Sequence, residues 1–595
     1  MRRVLTFCLL AGWAALLAAP LATALPAAEE EALAGQEIPT SRTSKPAVQA
    51  PEAGAPFSLT RQPSTNEPFF KLPEMVITGE GEAKMDKARG EFRLNLDTTE
   101  GVRASPGEQG ASKNQAGAQS GKLNLEEVTY TARTSYGHLE GSWGTADTGL
   151  LDLLFGQELG AWDYLVQAGG RQSDGAPVAA TLADGTPLGD RNPSWRRGRI
   201  LGQVSWQVGA RKRLQAQVSG DERQLALPYI TQAGQDLERA RQSARLTWEG
   251  TYPGLFNQTI NLRHDEAQLL LPGQGQAFQE SLTRLRGRWE KDLSLDGGGF
   301  SLSLDGNLGY VGQSAALGAG GLGQGFPLGG LEFHDRFAPF TGAHLGLGLG
   351  LSWVGGDHSG FLLAPLLDWE ERINSQVDLF VSFNPGQTRP FFSGALFEQD
   401  PVLPNPALNP SQDDWAGRAG LRGSWFGSLS LELAGFARQT ENTIVLDDPA
   451  GRHLWSPVNT GRSRVAGGDL DEQYAFLPGF EQFLQLRLQQ GTNLDDPSLH
   501  LTYLPQQRVR LGVKGAWGAF LGQASLDALA ARYVSQTGSA QAPASLGLNL
   551  KLGWQAREWL EVFVQGDNLL AQDVEDWWGY PEARPTVGAG VDLYF

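Results

Sequence analysis

Val587-Gly588-Ala589-Gly590-Val591-Asp592-Leu593-Tyr594-Phe595 alternates apolar residues with small or polar ones and stops on an aromatic. Successive side chains of a strand point to opposite faces, so Val587, Ala589, Val591, Leu593 and Phe595 share one apolar face. In lipid a strand can satisfy its backbone only in a sheet without a free edge. A terminal strand with a lipid-compatible face therefore points to a closed transmembrane barrel. A soluble sandwich can end on the same pattern, and the rest of the chain decides between the two.

The start of the chain supplies a route to such a membrane. Arg2 and Arg3 precede an apolar run from Val4 to Leu21, and Ala22-Thr23-Ala24 offers a small-residue cleavage site, so residues 1–24 read as a signal peptide. The polar, acidic sequence that follows argues against a retained anchor. The sole cysteine, Cys8, lies in this signal, which leaves the mature chain without disulfide or thiolate chemistry. Elsewhere no apolar stretch approaches the roughly 18 to 20 residues of a helical span, which excludes a helical membrane protein. Gly 76, Trp 17 and Phe 27 suit many strands with small residues at the pleat and aromatics at two water–lipid interfaces. A net charge of -18 argues against a nucleic-acid partner, since a phosphate-binding surface must be basic.

Residues 25–72 are rich in Ala, Pro, Glu, Ser and Thr, the composition of a disordered periplasmic segment. From Tyr130 onward period-two segments recur. Leu546, Leu548, Leu550, Leu552 and Trp554 alternate with Gly547, Asn549, Lys551 and Gly553; Val509, Leu511 and Val513 alternate with Arg508, Arg510, Gly512 and Lys514; Leu345, Leu347, Leu349, Leu351 and Trp353 oppose Gly346, Gly348, Gly350 and Ser352. Aliphatic residues on one face and charges on the other are what a watery lumen inside lipid demands. Turn signals divide 130–595 into about 22 strands. Long connections (Ser173 to Trp195, Gly312 to Leu328, Asn384 to Asp413, Leu570 to Pro585) alternate with tight ones near Leu159, Ala210 and Pro478, which puts both termini in the periplasm. The expected fold is all-β: a transmembrane antiparallel β-barrel of about 22 strands behind a disordered N-terminal segment, set in the lipid of the outer membrane of a Gram-negative bacterium.

Four segments in order carry a family resemblance. Pro404-Asn405-Pro406-Ala407-Leu408-Asn409-Pro410 with Trp415 to Asn442, Val458-Asn459-Thr460-Gly461 with Arg464 to Leu470, Leu504-Pro505-Gln506-Gln507-Arg508-Val509, and Gln565-Gly566-Asp567-Asn568-Leu569-Leu570 with Gly579-Tyr580-Pro581 resemble the barrel of TonB-dependent outer-membrane receptors. Asp567, Asn568 and Leu569 with Leu593, Tyr594 and Phe595 resemble the family's barrel-closing C-terminal signature, which implies the barrel-assembly machinery as a partner. Upstream, Pro73 followed by Glu74, Met75, Val76, Ile77, Thr78 and Gly79 resembles the family's TonB box. There, strand addition would dock a TonB-type energy-coupling protein. The resemblance also implies a plug domain of well over a hundred residues, yet only Glu80 to Thr129 separates the box from the first strand. Residues 73–129 thus read as a box and a plug remnant, and the lumen is either blocked by inward loops and this remnant or open.

Other motifs carry little. Gly318-Ala319-Gly320-Gly321-Leu322-Gly323 matches G-x-G-x-x-G, but Gln324-Gly325-Phe326-Pro327 cannot open the helix a dinucleotide site needs, so an outer loop is the reading. The seven histidines show no metal-ligand spacing, and no catalytic signature occurs; neither enzyme activity nor a cofactor or metal is expected. Trp143, Trp162, Trp206, Trp353, Trp425, Trp554, Trp559, Trp577 and Trp578 are expected to anchor at headgroups. The resemblance implies TonB-powered uptake of a small, scarce nutrient complex of siderophore or cobalamin type. The alternative is a plugless passive channel or structural barrel.

Overall fold

The computed structural model describes residues 135–594 apart from short stretches of the loops, together with a few short strands between 84 and 129. The signal, the segment 25–72, Glu74 to Gly79 and Phe595 lie outside the described residues. Among the described residues no helix is long and apolar enough to cross a membrane.

Strands run down the chain as β1 Ser135–Gly144, β2 Gly149–Leu159, β3 Trp162–Ser173, β4 Trp195–Gln207, β5 Lys212–Ala226, β6 Asp236–Tyr252, β7 Phe256–Leu271, β8 Gly275–Asp292, β9 Phe300–Ala315, β10 Leu322–Phe337 and β11 Ala343–Val354. They continue as β12 Gly360–Arg372, β13 Val377–Phe383 (extended by Gln387–Thr388), β14 Ser411–Trp425, β15 Leu429–Glu441, β16 Ser463–Leu477, β17 Phe480–Asn493, β18 Gln507–Trp517, β19 Phe520–Leu529, β20 Ser545–Arg557, β21 Leu560–Asp567 and β22 Thr586–Tyr594. Each pairs antiparallel with its sequence neighbour, and β22 returns to β1, from Tyr594 opposite His138 to Gly588 opposite Gly144. The result is a closed 22-strand barrel with no free edge, as the alternation implied.

The pleat decides which side chains meet lipid. Leu347, Leu349, Leu550, Leu552, Trp554, Val587 and Val591 are exposed on the outer wall. Charged residues at the alternate positions pair on the inner wall, between strands for Arg199 with Asp152 at 3.2 Å, Arg286 with Asp305 at 2.8 Å and Arg487 with Asp469 at 2.7 Å, and along one strand for Arg263 with Asp265 at 2.7 Å. Each pair reconciles a carboxylate and a guanidinium with a wall partly shielded from water. The turns at one end of the barrel are tight. Gly479 (φ +79) and Gly518 (φ +62) sit in the left-handed region that a side chain would strain. Trp517, Phe520, Phe426 and Trp559 flank such turns and stand out from the wall, where amphipathic rings meet headgroups.

One expectation needs correction. The segment Gly312 to Leu328 is mostly strand: β9 runs to Ala315 and β10 begins at Leu322, with Gly312 opposite Gly325 and Tyr310 opposite Pro327. Glycine and proline are weak strand formers, and ladders on both sides override that local preference. The strands also exceed a simple span: β6 has 17 residues and β8 has 18, where about 9–11 suffice to cross hydrocarbon. Their outer thirds rise above the lipid and carry Glu238, Gln242 and Gln279 on the outside.

Candidate functional site

The outer mouth is roofed by loops that fold inward. Five connections take part, residues 384–410, 442–462, 494–506, 530–544 and 568–585, and they share one buried apolar cluster with Leu225, Leu237, Ala267, Leu269 and Phe278 on the inner wall of β5–β8. That cluster joins loops from the second half of the chain to the wall made by the first.

The loop 384–410 reaches deepest. Phe391 is fully buried among Leu282, Val311, Phe326, Leu328 and Val354, and Phe392 meets Phe278 edge-on at 5.5 Å and Phe397 at 6.0 Å. Its backbone turns carry polar groups into this apolar setting, where each needs a partner. The wall supplies them. Arg239 on β6 donates from Nη1 to the carbonyls of Leu396 (2.7 Å) and Phe397 (3.2 Å) and from Nη2 to that of Val402. Arg241 donates to the carbonyl of Ser393 at 3.2 Å. Glu280 on β8 accepts the amide and hydroxyl of Ser393 at 2.8 Å each, and Gln313 donates to it at 2.7 Å. The guanidinium groups also cover aromatic faces, Arg241 lying 4.6 Å from the centroid of Phe397 and Arg239 5.4 Å from that of Phe392.

The remaining loops build an aromatic centre around Trp455, which is fully buried. Tyr503, Trp577 and Tyr580 surround it, with ring centroids 5.6, 5.3 and 6.2 Å away. Its amide donates to the carbonyl of Pro401 at 3.0 Å and its carbonyl accepts from Leu403 at 2.7 Å, so the second loop is stitched to the first. Tyr580 Oη donates to the carbonyl of His453 at 3.0 Å, and the His453 ring lies 4.6 Å from that of Trp578 with Nδ1 3.1 Å from the Trp578 carbonyl. Burial among these rings lowers the His453 pKa below 6.5, against the opposing pull of the Trp578 carbonyl and Asp448. Trp577 and Trp578 therefore belong to the roof rather than to a headgroup belt, whereas Trp143, Trp554 and Trp559 are exposed on the outer wall.

The residues singled out from the sequence fall in three places. Glu74, Met75, Val76, Ile77, Thr78 and Gly79 lie outside the described residues. Asp567 closes β21 opposite Thr586, and the next two residues begin the last outer loop: Asn568 donates its amide to Asn549 Oδ1 at 3.1 Å and Leu569 donates to the carbonyl of Leu548 at 2.9 Å. Leu593 faces out between Leu139 and Leu560, and Tyr594 stacks on His138 at 5.0 Å. The Pro404–Pro410 and Val458–Gly461 segments meet in the roof, where Asn405 donates to the carbonyl of Pro457 at 2.9 Å. Arg239, Arg241 and Glu280 carry no local signature and escape a sequence reading; only their inward phase on long strands marks them.

No family model and no curated protein matches this sequence. Solved structures do. The siderophore receptor PirA from Acinetobacter baumannii aligns over 79% of this chain and 82% of its own at 11% identity, TM-score 0.62. A mutant of the ferric enterobactin receptor PfeA from Pseudomonas aeruginosa aligns over the same shares at 14% identity, TM-score 0.62. The copper transporter OprC does so over 79% and 82% at 13% identity, TM-score 0.60. At such identities the likeness is one of fold, that of the large barrels of these proteins.

Proposed function

We propose that this chain, whose barrel is of the TonB-dependent receptor type, is an outer-membrane receptor that takes up a metal-chelate nutrient of siderophore class with energy delivered through TonB. The observation that carries the reading is the roof. A diffusion channel needs an unobstructed mouth, whereas here five loops and the wall of β5–β8 share a single buried core across it. A solute enters such a barrel only if it is first recognised and the loops then move. The folds alongside belong to proteins described as a siderophore receptor, a ferric enterobactin receptor and a copper transporter, which favours a metal complex as the cargo; nothing favours cobalamin. The passive-channel reading rests on the short span Glu80 to Thr129, which lacks the receptors' plug motifs.

The coupling role is assigned to Glu74 to Gly79. Proline at Val76 or Ile77 removes a main-chain donor and fixes φ, so strand addition to the partner fails. In cells with and without TonB, Val76→Pro and Ile77→Pro are expected to abolish accumulation of radiolabelled ferric siderophore while leaving barrel abundance unchanged. A large steady conductance in planar bilayers, indifferent to TonB and to both substitutions, would establish the passive channel instead.

A further inference from the structure

Four carboxylates stand in a row across the seam where the barrel closes. Glu561 on β21 is directly opposite Asp592 on β22, Asp592 is opposite Glu140 on β1, and Glu140 is opposite Asp152 on β2. All four lie on the luminal face and are buried, Asp592 completely. Like charges directly opposite one another weaken a sheet, so this row calls for cations. At its Asp152 end Arg199 and Arg171 supply them at 3.2 and 3.6 Å. At the seam a lysine approaches the row. Lys551, from β20, stands 3.8 Å from Glu140 and 4.0 Å from Asp592, beyond hydrogen-bond reach of either, with its ammonium 3.9 Å from the centroid of the Phe563 ring.

His138 completes the group. It lies two residues before Glu140 on the same face of β1, and its Nε2 is 3.6 Å from Asp592 Oδ1. The Tyr594 ring holds the imidazole in place by stacking. One ligand atom from each of His138, Glu140 and Asp592 falls within 4.8 Å of the others. Around a tetrahedral zinc ion, ligand atoms at about 2.0–2.2 Å from the metal sit about 3.4 Å apart, which the His138–Asp592 separation nearly meets.

We propose that His138, Glu140 and Asp592 bind a divalent transition cation of the zinc type, which clasps the first strand of the barrel to the last. An imidazole nitrogen with two carboxylate oxygens suits zinc better than magnesium, which prefers six oxygens. Metal binding displaces the Lys551 ammonium, whose flexible stem lets it withdraw over Phe563. The ligands come from opposite ends of the sequence, so the site exists only in the closed barrel, and whatever binds it stabilises closure.

The test uses the full-length protein folded in detergent and stripped with a chelator, then given zinc chloride or magnesium chloride. Zinc, and not magnesium, should raise the temperature at which the folded gel band converts to the unfolded one, and calorimetry should give one zinc per chain. His138→Gln and Asp592→Asn should each abolish the shift. Lys551→Met, which removes the competing ammonium, should lower the starting temperature, tighten zinc binding several-fold and be rescued by zinc. No shift in the unaltered protein, or an equal shift in all three variants, overturns the proposal. A Lys551→Met barrel that is weakened but not rescued by zinc also overturns it, leaving the ammonium as the seam's own cation.

Discussion

Asn409 and Asn459 exchange hydrogen bonds across the roof: the Asn409 amide donates to Asn459 Oδ1 at 2.8 Å, and Asn459 Nδ2 donates back to the Asn409 carbonyl at 3.0 Å. Asn459 Nδ2 also donates to the carbonyl of Asn442 at 2.9 Å. One side chain thus ties the loop 384–410 to the loop 442–462. Two donations to carbonyls require the amide nitrogen, so Asn459→Asp should place a carboxylate against two carbonyl oxygens and loosen both loops. Asn459→Ala should cost less, about 1–3 kcal/mol. Limited proteolysis of intact cells checks this: cleavage within the two loops should rise in the order unaltered, Ala, Asp, with the barrel fragment still heat-modifiable.

Arg239 should hold the roof down. Arg239→Met keeps most of the apolar stem but takes the guanidinium donor from the carbonyls of Phe397 and Val402 and leaves that of Leu396 with the Gln399 amide alone, at 3.2 Å. Loss of charge-assisted bonds in a buried setting costs about 1.5–3 kcal/mol each at most. Single-channel recordings in planar bilayers should show open events that are rare or absent in the unaltered protein. A variant that stays as closed as the parent would mean the loop is held by its aromatic contacts alone.

Acid should loosen the roof, with His453 as a contributor. Its pKa is lowered in the closed roof, so the open state binds the proton more readily. The stabilisation from the neutral ring is then fully present above about pH 6.5 and declines as pH falls through the range between the ordinary and the depressed value. Tryptophan fluorescence of the roof should shift toward that of exposed indoles as pH falls from 7.5 to below 6 in a reversible titration. His453→Gln, which cannot charge, should flatten the shift over that interval.

The two faces of β20 should differ sharply. Leu550 faces hydrocarbon, where an arginine costs roughly 2–4 kcal/mol near the midplane. Gly547 faces the lumen with nothing within 4 Å of an added Cβ. Leu550→Arg should therefore depress folded barrel in outer membranes, whereas Gly547→Arg should assemble normally. Equal assembly of the two variants would contradict the register.

The barrel was legible because its signal is local. Leu345 to Trp353 and Leu546 to Trp554 each state which side is lipid within nine residues, and strand pairing needs nothing further. The roof was legible only as turn-rich loops: the segments containing Asn409 and Asn459 stand out as motifs, but their contact spans 50 residues of chain. The grip of Arg239 on Leu396 spans 157, and an inward arginine on a barrel strand looks the same whether it faces water or a folded loop. His138 was unremarkable in sequence because its neighbours Asp592 and Lys551 arrive from the far end of the chain. Closure of a ring brings together what no spacing rule can relate.

The geometry of the roof also fixes when it is finished in a newly made molecule. Trp577 and Tyr580, which complete the aromatic centre around Trp455, lie in the last outer connection, just ahead of the strand that closes the ring. The wall that grips the loop 384–410 is made from β6 and β8, early in the chain. A sheet that has reached the loop 384–410 already has the wall that holds it, but the aromatic centre around Trp455 still lacks Trp577 and Tyr580. Completion of that centre waits on the last outer connection, so the roof reaches its full packing only as the closing strand arrives.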